Sequence, residues 1–146
     1  MSLQTIDQGI ASQLGHYADA IVIPPEYEQI MVSGTFGIDQ DGDVATDITG
    51  QSEQAWENVV RILEAADATS RDIVFIRQWL TTESDIDGYL AVRARYVTHR
   101  PGATLAVVSA LMRPQLLVQL EVVAARPVTG TDGTLASPAT PRDLMS

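Results

Sequence analysis

Few side chains in this sequence have the chemistry to bind a metal ion or to activate water, and most of those that do are carboxylates. An acidic cluster, Asp39-Gln-Asp-Gly-Asp43, resembles the start of a calcium-binding loop. The twelfth position from Asp39 is Gly50 rather than the bidentate glutamate of such loops, and no predicted helix precedes the cluster. We therefore interpret the cluster as a hairpin turn, in which Gly42 is suited to a positive φ.

Composition limits other kinds of metal and nucleophile chemistry. The chain has no cysteine, which excludes a disulfide framework, a thiolate metal site and a cysteine nucleophile. Its two histidines, His16 and His99, lie far apart in sequence, so a zinc site would depend on carboxylates, which is uncommon. No Gly-x-Ser-x-Gly elbow supports a Ser-His-Asp triad. The sequence therefore predicts no metal and no cofactor, and it identifies no catalytic residue.

Arg77 and Trp79 are the next candidates, because they lie on the same face of a predicted strand. A buried arginine needs a partner, and a salt bridge to Glu121 or to another acid across a subunit interface is one interpretation. The alternative is that Arg77 supplies positive charge to a ligand pocket. Trp79 is typical of a packing residue, although its ring could also contact a ligand.

The charge of the chain restricts its partners. The 146 residues are enough for one domain with a core, and 19 acidic against 9 basic residues give a net charge of -10. A field of that sign repels nucleic-acid phosphates and anionic lipid. No apolar run reaches membrane-spanning length, and the first residues lack the features of a signal peptide. We expect a cytoplasmic protein without membrane association, and nucleic-acid binding is disfavoured.

The first half of the chain predicts strands followed by a helix. Residues 1–15 are polar and are expected to be extended or frayed. Apolar runs at 20–23 and 29–38 predict a β-hairpin that leads, through the acidic turn, to a third edge segment near Val44. At 48–68 the apolar period changes to three and four, which predicts an amphipathic helix capped by Thr49 or Asp47.

The second half predicts a strand at 71–81, a helix that opens at Ser84, and two apolar strands at 105–111 and 116–125 joined at Met112-Arg-Pro114. The order β-β-β-α-β-α-β-β predicts an α+β fold, with one mixed sheet and two helices packed on one face. The last two strands are apolar on both faces. The face that the helices leave bare therefore needs a partner, and a second copy of the chain is the simplest one.

These elements predict one domain at 1–126. Residues 127–146 are rich in Gly, Thr, Ser and Pro, have no apolar period, and are predicted to be a disordered tail.

Four short motifs, in this order, resemble the Rid family, also called the YjgF or endoribonuclease L-PSP-like family. Gly15-His-Tyr-Ala-Asp-Ala20 resembles Gly-Pro-Tyr-Ser-Gln-Ala, and Val32-Ser-Gly-Thr35 resembles Val-Ser-Gly-Gln. Gln51-Ser-Glu-Gln-Ala-Trp-Glu-Asn58 resembles Gln-x-x-Gln-x-Leu-x-Asn, and residues 111–118 resemble a Leu-x-x-Pro-x-x-x-Val hairpin. The similarity runs from about Gly15 to Ala125.

The resemblance implies a fold similar to that of bacterial chorismate mutase, with a β-barrel core formed in a homotrimer. It also implies three small-molecule pockets, each lined by two subunits. Two positions depart from the family's 2-imino acid deaminases. Their carboxylate-binding arginine, in Pro-Ala-Arg-Ser/Thr, falls on Ala103, which offers no donor. Their catalytic glutamate, the first acid of Glu-Ile-Glu, falls on Gln119, which can hold a water but cannot accept its proton.

The predicted substrate-binding residues combine the family's pocket positions with the Arg77 face of the sheet. They are Tyr17, Ser33, Gly34, Arg77, Trp79, Ala103, Thr104 and Gln119. For Tyr17 the alternative is packing at a subunit boundary, and for Ser33 it is a role in a β-bulge beside Gly34.

Three functions stay open at this point. The first is a homotrimer that binds a small metabolite without the usual deaminase activity. The second is an imine or enamine deaminase with a rebuilt site, in which Arg77 anchors the substrate and Gln119 holds a water. The third, which the charge disfavours, is an endoribonuclease.

Overall fold

The computed structural model describes residues 2–128, which contain six strands and two α-helices. In chain order these are β1 (Gln4–Ile6), β2 (Ala20–Val22), β3 (Tyr27–Phe36), α1 (Ile48–Ala65), β4 (Ile73–Leu80), α2 (Ile86–Tyr96), β5 (Gly102–Val107) and β6 (Val118–Pro127). The α+β class and the mixed sheet are as predicted. The last strand runs one residue past the predicted boundary at 126, and the predicted tail beyond Val128 lies outside the described residues.

The main sheet is built around β6. Its strand order is β3-β6-β4-β5, and β6 pairs antiparallel with both β3 and β4. In contrast, β5 runs parallel to β4, because α2 crosses over between these two strands. The prediction of a hairpin between the last two strands is wrong, since β4 lies between them. An apolar run reports that a strand is buried, but it does not report which strand lies beside it.

The first two strands form a small sheet of their own, with Thr5 opposite Ile21. The predicted hairpin between residues 20–23 and 29–38 is therefore wrong. Of the two alternatives for residues 1–15, the extended one holds at residues 4–6, which supply the partner of β2. The third edge segment near Val44 is reduced to a single bridge between Ile38 and Val44.

The amphipathic helix α1 covers one face of the main sheet. Ala55, Trp56 and Val59 are fully buried on its inner stripe. Asp47 caps its first turn, and its carboxylate accepts a hydrogen bond from the amide of Gly50 at 3.0 Å. The helix ends before the predicted residue 68 because Asp67 takes a left-handed conformation, with φ 57°, in a Schellman-type turn.

Both helices lie on the same side of the main sheet, and the opposite side is bare in a single chain. On this bare face Met31 lies beside Val123, which in turn lies beside Phe75. Met31 is 67% exposed. The predicted uncovered face is therefore present, although it carries the Arg77–Glu121 pair beside these apolar side chains, and we refer to it as the bare face.

Gln51 connects α1 to two loops. Its side chain is fully buried, and its Nε2 atom donates to the carbonyl oxygens of Ala45 and Gln115, at 2.8 Å each. Its Oε1 atom accepts from the amide of Leu117 at 2.8 Å. One side chain thus holds the loop before α1 against the connection that leads into β6.

Replacing Gln51 with leucine would leave two carbonyl groups and one amide without their partner. We expect the free energy of unfolding to fall by roughly 2–4 kcal/mol, because each orphaned buried group costs about 1–3 kcal/mol and the groups rehydrate in part. Urea unfolding followed by circular dichroism measures this change.

Gln54→Leu is the matched control on the same helix, since the Gln54 side chain donates to the side chain of Asn58 rather than to buried backbone. We expect it to cost less than about 1 kcal/mol. Equal losses in the two variants would contradict the role assigned to Gln51.

Candidate functional site

A cavity of about 660 Å³ lies between α2, the strand β5 and the segment at residues 14–17. Much of its wall is apolar and comes from side chains such as Ile86, Val97 and Leu105. This volume is in the range of pockets that bind small organic molecules. Two rim side chains, Leu14 and Leu90, are 80% and 37% exposed, so the cavity is open on that side in a single chain.

Asp19 fixes the segment that forms one side of the cavity. Its carboxylate accepts hydrogen bonds from the amides of Gln8, Ile10 and Ala11, the last at 2.6 Å. These bonds, that from Gln8 first, lower the pKa of Asp19 below its ordinary value of 3.8. The neighbouring amide of Ala18 donates to the carbonyl oxygen of Pro101 at 2.9 Å, which places residue 17 beside the start of β5.

Two polar side chains beside the cavity, Gln78 and Tyr89, form a hydrogen bond with each other. Gln78, which lines it, donates from Nε2 to the carbonyl oxygen of Thr104 at 3.0 Å. Its Oε1 atom accepts from the hydroxyl of Tyr89. Burial raises the pKa of Tyr89, so this hydroxyl keeps its proton and remains a donor. These groups form a fixed wall rather than free ligand-binding groups.

Arg93 lines the cavity and is a buried polar side chain with an unpaired atom among the described residues. It is only 8% exposed, and its Nε atom makes no hydrogen bond to any described residue. None of the ion pairs within residues 2–128 includes it. Burial lowers the pKa of Arg93, while the nearby hydroxyls of Tyr89 and Tyr17 act in the opposite direction. The cavity therefore contains one desolvated guanidinium that no carboxylate of the described chain neutralises.

Groups that could accept a proton are scarce in the cavity. No Asp or Glu is among the described residues that line it. His16 lies at the exposed rim, where its Nε2 atom is 3.4 Å from the carbonyl oxygen of Thr98. The arrangement is suited to binding an apolar molecule with a negative charge, and it is poorly equipped to activate water.

The predicted binding residues fall into two groups on opposite sides of the sheet. Tyr17 and Ala103 line the cavity. The other six belong to the bare face or its edge, and they are Ser33, Gly34, Arg77, Trp79, Thr104 and Gln119. One chain does not bring the two groups together.

Within the second group, Gly34 makes room for Gln119. A Cβ atom on Gly34 would lie 2.7 Å from the Nε2 atom of Gln119, so a larger residue would push that side chain away. Trp79 lies directly opposite Gln119 in the pairing of β4 with β6. The pairing of β3 with β6 shifts register between Val32 and Thr35, which is the bulge that the alternative interpretation of Ser33 predicted.

Arg77 is already engaged on the bare face. Its Nη1 atom lies 3.3 Å from Oε1 of Glu121, and its guanidinium lies 5.2 Å from the centre of the Phe75 ring. The predicted salt bridge to Glu121 is confirmed, although it forms within one chain and its side chains are 45% and 36% exposed. A pair this exposed contributes at most about 1 kcal/mol.

The acidic cluster forms the predicted hairpin turn. One carboxylate oxygen of Asp39 accepts from the amides of Asp41 and Asp43, at 2.9 Å and 2.8 Å. Gly42 has the predicted positive φ, at 86°.

In the described part of the chain, no helix is long and apolar enough to cross a membrane.

Sequence reasoning did not identify Arg93 as a site residue. The signal was present, because Arg93 follows Tyr89 by four residues and precedes Val97 by four, and both of these are buried. An arginine between such neighbours faces the protein interior.

Comparisons with known proteins agree with this geometry. The sequence model of the family described as endoribonuclease L-PSP matches residues 10–126. A Mycobacterium tuberculosis member of the highly conserved YjgF family is 30% identical, with a TM-score of 0.60, and the match covers 84% of this chain and 98% of that one. A Rid-family protein of unknown function from Yersinia pestis has a TM-score of 0.73 at 22% identity, over 85% of this chain and 98% of that one. RidA from an Antarctic Psychrobacter is 24% identical, with a TM-score of 0.63 over 85% and 98%.

Replacing Asp19 with asparagine removes the charge that the amides of residues 8–11 bind. Because the pKa of Asp19 in the folded protein is lower than 3.8, its contribution to stability is complete above pH 3.8. That contribution is lost as the pH falls through the lower folded value. We expect the wild type to melt at a higher temperature than Asp19→Asn at about pH 7, and the two melting temperatures to converge below pH 3.8.

Calorimetry at a series of pH values tests this expectation. Asp41→Asn, in the exposed acidic turn, controls for the removal of one negative charge from a strongly acidic protein. A difference in melting temperature that stayed constant across the acid range would show that the charge of Asp19 is not responsible.

Proposed function

This chain belongs to the endoribonuclease L-PSP family, and we propose that it is a binding member of it, a homotrimer that holds a small metabolite at its subunit boundaries without 2-imino acid deaminase activity. The observation that carries this proposal is the cavity of about 660 Å³, which includes the family positions Tyr17 and Ala103. No carboxylate of the described chain reaches it.

Imine hydrolysis requires more than a cavity. Water must add to the imine carbon, a base must take its proton, and the resulting carbinolamine must release ammonia. Gln119 stands where the family's deaminases carry the glutamate, and an amide cannot take that proton. Ala103 likewise lacks the donors that would fix a substrate carboxylate. Binding survives these replacements more readily than catalysis, because binding does not need a base.

Oligomerisation is supported by two surfaces that a single chain leaves open. One is the bare face, where Met31 is exposed beside Val123. The other is the cavity rim at Leu14 and Leu90. If the bare face of one copy lies against the rim of the next, both apolar surfaces are covered. The same contact brings the two separated groups of predicted residues into one pocket.

The alternative function is an imine or enamine deaminase whose substrate is anchored by Arg77. That arginine is a weaker anchor than the sequence suggested, because it already pairs with Glu121 and lies over the Phe75 ring. An endoribonuclease is the third function, and a net charge of -10 opposes the binding of RNA.

The test of catalysis is an amino acid oxidase that generates 2-imino acids in the presence of the purified protein. We expect keto-acid release to proceed at the rate of the buffer control, with semicarbazide present as a competing trap for the imine. A deaminating member of the family serves as the positive control. Acceleration by this protein would contradict the proposal.

Arg77→Ala then separates the remaining explanations. If acceleration is seen and Arg77→Ala abolishes it while the oligomer stays intact, the alternative function is correct. Acceleration that survives this replacement would exclude Arg77 as the anchor.

The test of assembly is the molar mass in solution, measured by light scattering coupled to size exclusion. We expect the mass of three chains for the wild type and that of one chain for Met31→Glu, because a buried unpaired carboxylate opposes association. Met112→Glu is the matched control, since Met112 is 80% exposed in the connection before β6 and away from the bare face. Dissociation of both variants, or of neither, would contradict the assigned interface.

A further inference from the structure

The buried guanidinium of Arg93 is the one feature of the cavity that a purely apolar ligand would not explain. Arginine is rarely buried unless it is paired. Arg93 is only 8% exposed and has no acidic partner within residues 2–128. Its Nε atom, which is a donor, points to no acceptor in the described chain. Within residues 2–128, this desolvated positive charge therefore has no counter-charge.

Arg95 is an exposed arginine on the same helix, and it can be compared with Arg93. It lies two residues farther along α2, is 56% exposed, and pairs with Glu53 at 2.9 Å. Arg93 lies on the opposite side of the helix, among the buried residues Tyr89 and Val92. An exposed ion pair is available to one of these arginines and not to the other.

The surroundings of Arg93 indicate what kind of molecule could neutralise it. Gln78 and Tyr89 are occupied with each other, so they leave Arg93 as the free donor among these three. The rest of the wall is largely apolar, with Ile86, Leu90 and Leu105 on it. A molecule that matches this wall has a single negative charge at one end and a compact apolar group at the other.

Position 103 is consistent with this assignment. Ala103 and Arg93 line the same cavity. The family's arginine at position 103 on β5 and Arg93 on α2 would therefore both reach this cavity. A guanidinium that approaches from the helix can replace one that approaches from the strand, provided that the ligand is turned accordingly.

We propose that Arg93 is the anion anchor of this cavity, and that the ligand is a small monocarboxylate with a compact apolar substituent. The inference rests on the proposed binding function and specifies its ligand class. The Nε and Nη groups of Arg93 donate to the carboxylate, which supplies the missing counter-charge, and the apolar substituent lies against Leu90 and Leu105.

The test compares carboxylates with amides of the same shape, using isovalerate against isovaleramide and benzoate against benzamide. Calorimetric titration of the intact protein at low ionic strength measures the four affinities. We expect each carboxylate to bind at least about tenfold more tightly than its amide, because a buried guanidinium strongly favours a charged acceptor. In Arg93→Met this preference should disappear, and in Arg95→Met it should stay.

The possible outcomes distinguish the role of Arg93 as an anchor from the binding of probes in the cavity. Ala103→Phe places a phenyl ring in the cavity, so the binding of all four probes should weaken if they bind there. Amides that bind as tightly as carboxylates, in a manner that Ala103→Phe weakens, would overturn the anchor and leave the binding function intact. A carboxylate preference that survives Arg93→Met would also overturn it. Failure of all four probes to bind would count against both proposals.

The melting temperature of the ligand-free protein is the second readout. Arg93→Met removes an unpaired buried charge and keeps an unbranched side chain, so we expect the melting temperature to rise or to stay equal. A fall in melting temperature together with loss of the oligomer would show that Arg93 pairs with an acid of a neighbouring copy. That result would overturn the proposal.

Discussion

The double pairing of β6 is the constraint on which the rest of the structure depends. This strand is bonded to β3 on one side and to β4 on the other, so its alternation sets the character of both faces of the sheet. Leu120 and Val122 point towards the helices and are buried, whereas Gln119 and Glu121 point to the bare face. Because β6 occupies the position beside β4, β5 can join the sheet only at the far edge of β4, by the crossover through α2. That crossover is what places α2, and Arg93 with it, over β5 and the cavity.

The sequence predicted the parts of this fold that are encoded locally. The amphipathic stripe of α1, the cap at Asp47 and the positive φ of Gly42 each depend on a few neighbouring residues, and each is present. Strand partners were predicted less well, because β2 pairs with a strand before it and β6 pairs with strands far away in sequence. An alternating or apolar run specifies which face of a strand is buried. It carries no information on which other run completes the ladder.

The candidate site divides in the same way. Tyr17 and Ala103 could be assigned to a pocket from their motifs, and the structure places both on one cavity. A salt bridge from Arg77 to Glu121 or another acid was one of two interpretations of that arginine, and the pair with Glu121 is present. What no local pattern could supply is that Arg93 has no acidic partner among residues 2–128. A stripe position on a helix indicates burial, but the absence of a partner depends on every element packed around it. The notable arginine is therefore on the helix, while sequence reasoning placed the emphasis on the strand.

A cavity that contains a buried cation, and no carboxylate of the described residues, fits the proposed retention of a ligand better than its conversion. Within residues 2–128 the buried charge of Arg93 has no acidic partner, and if the proposed anion binds beside it, part of the cost of burying that charge is recovered. A ligand that supplies the missing negative charge would therefore bind more tightly than a neutral analogue of the same shape. The same charge would not replace the proton acceptor that the attack of water needs, and Gln119 cannot act as that acceptor. The proposed selectivity for an anion and the proposed loss of deaminase activity are thus compatible, because they depend on two different residues, Arg93 and Gln119.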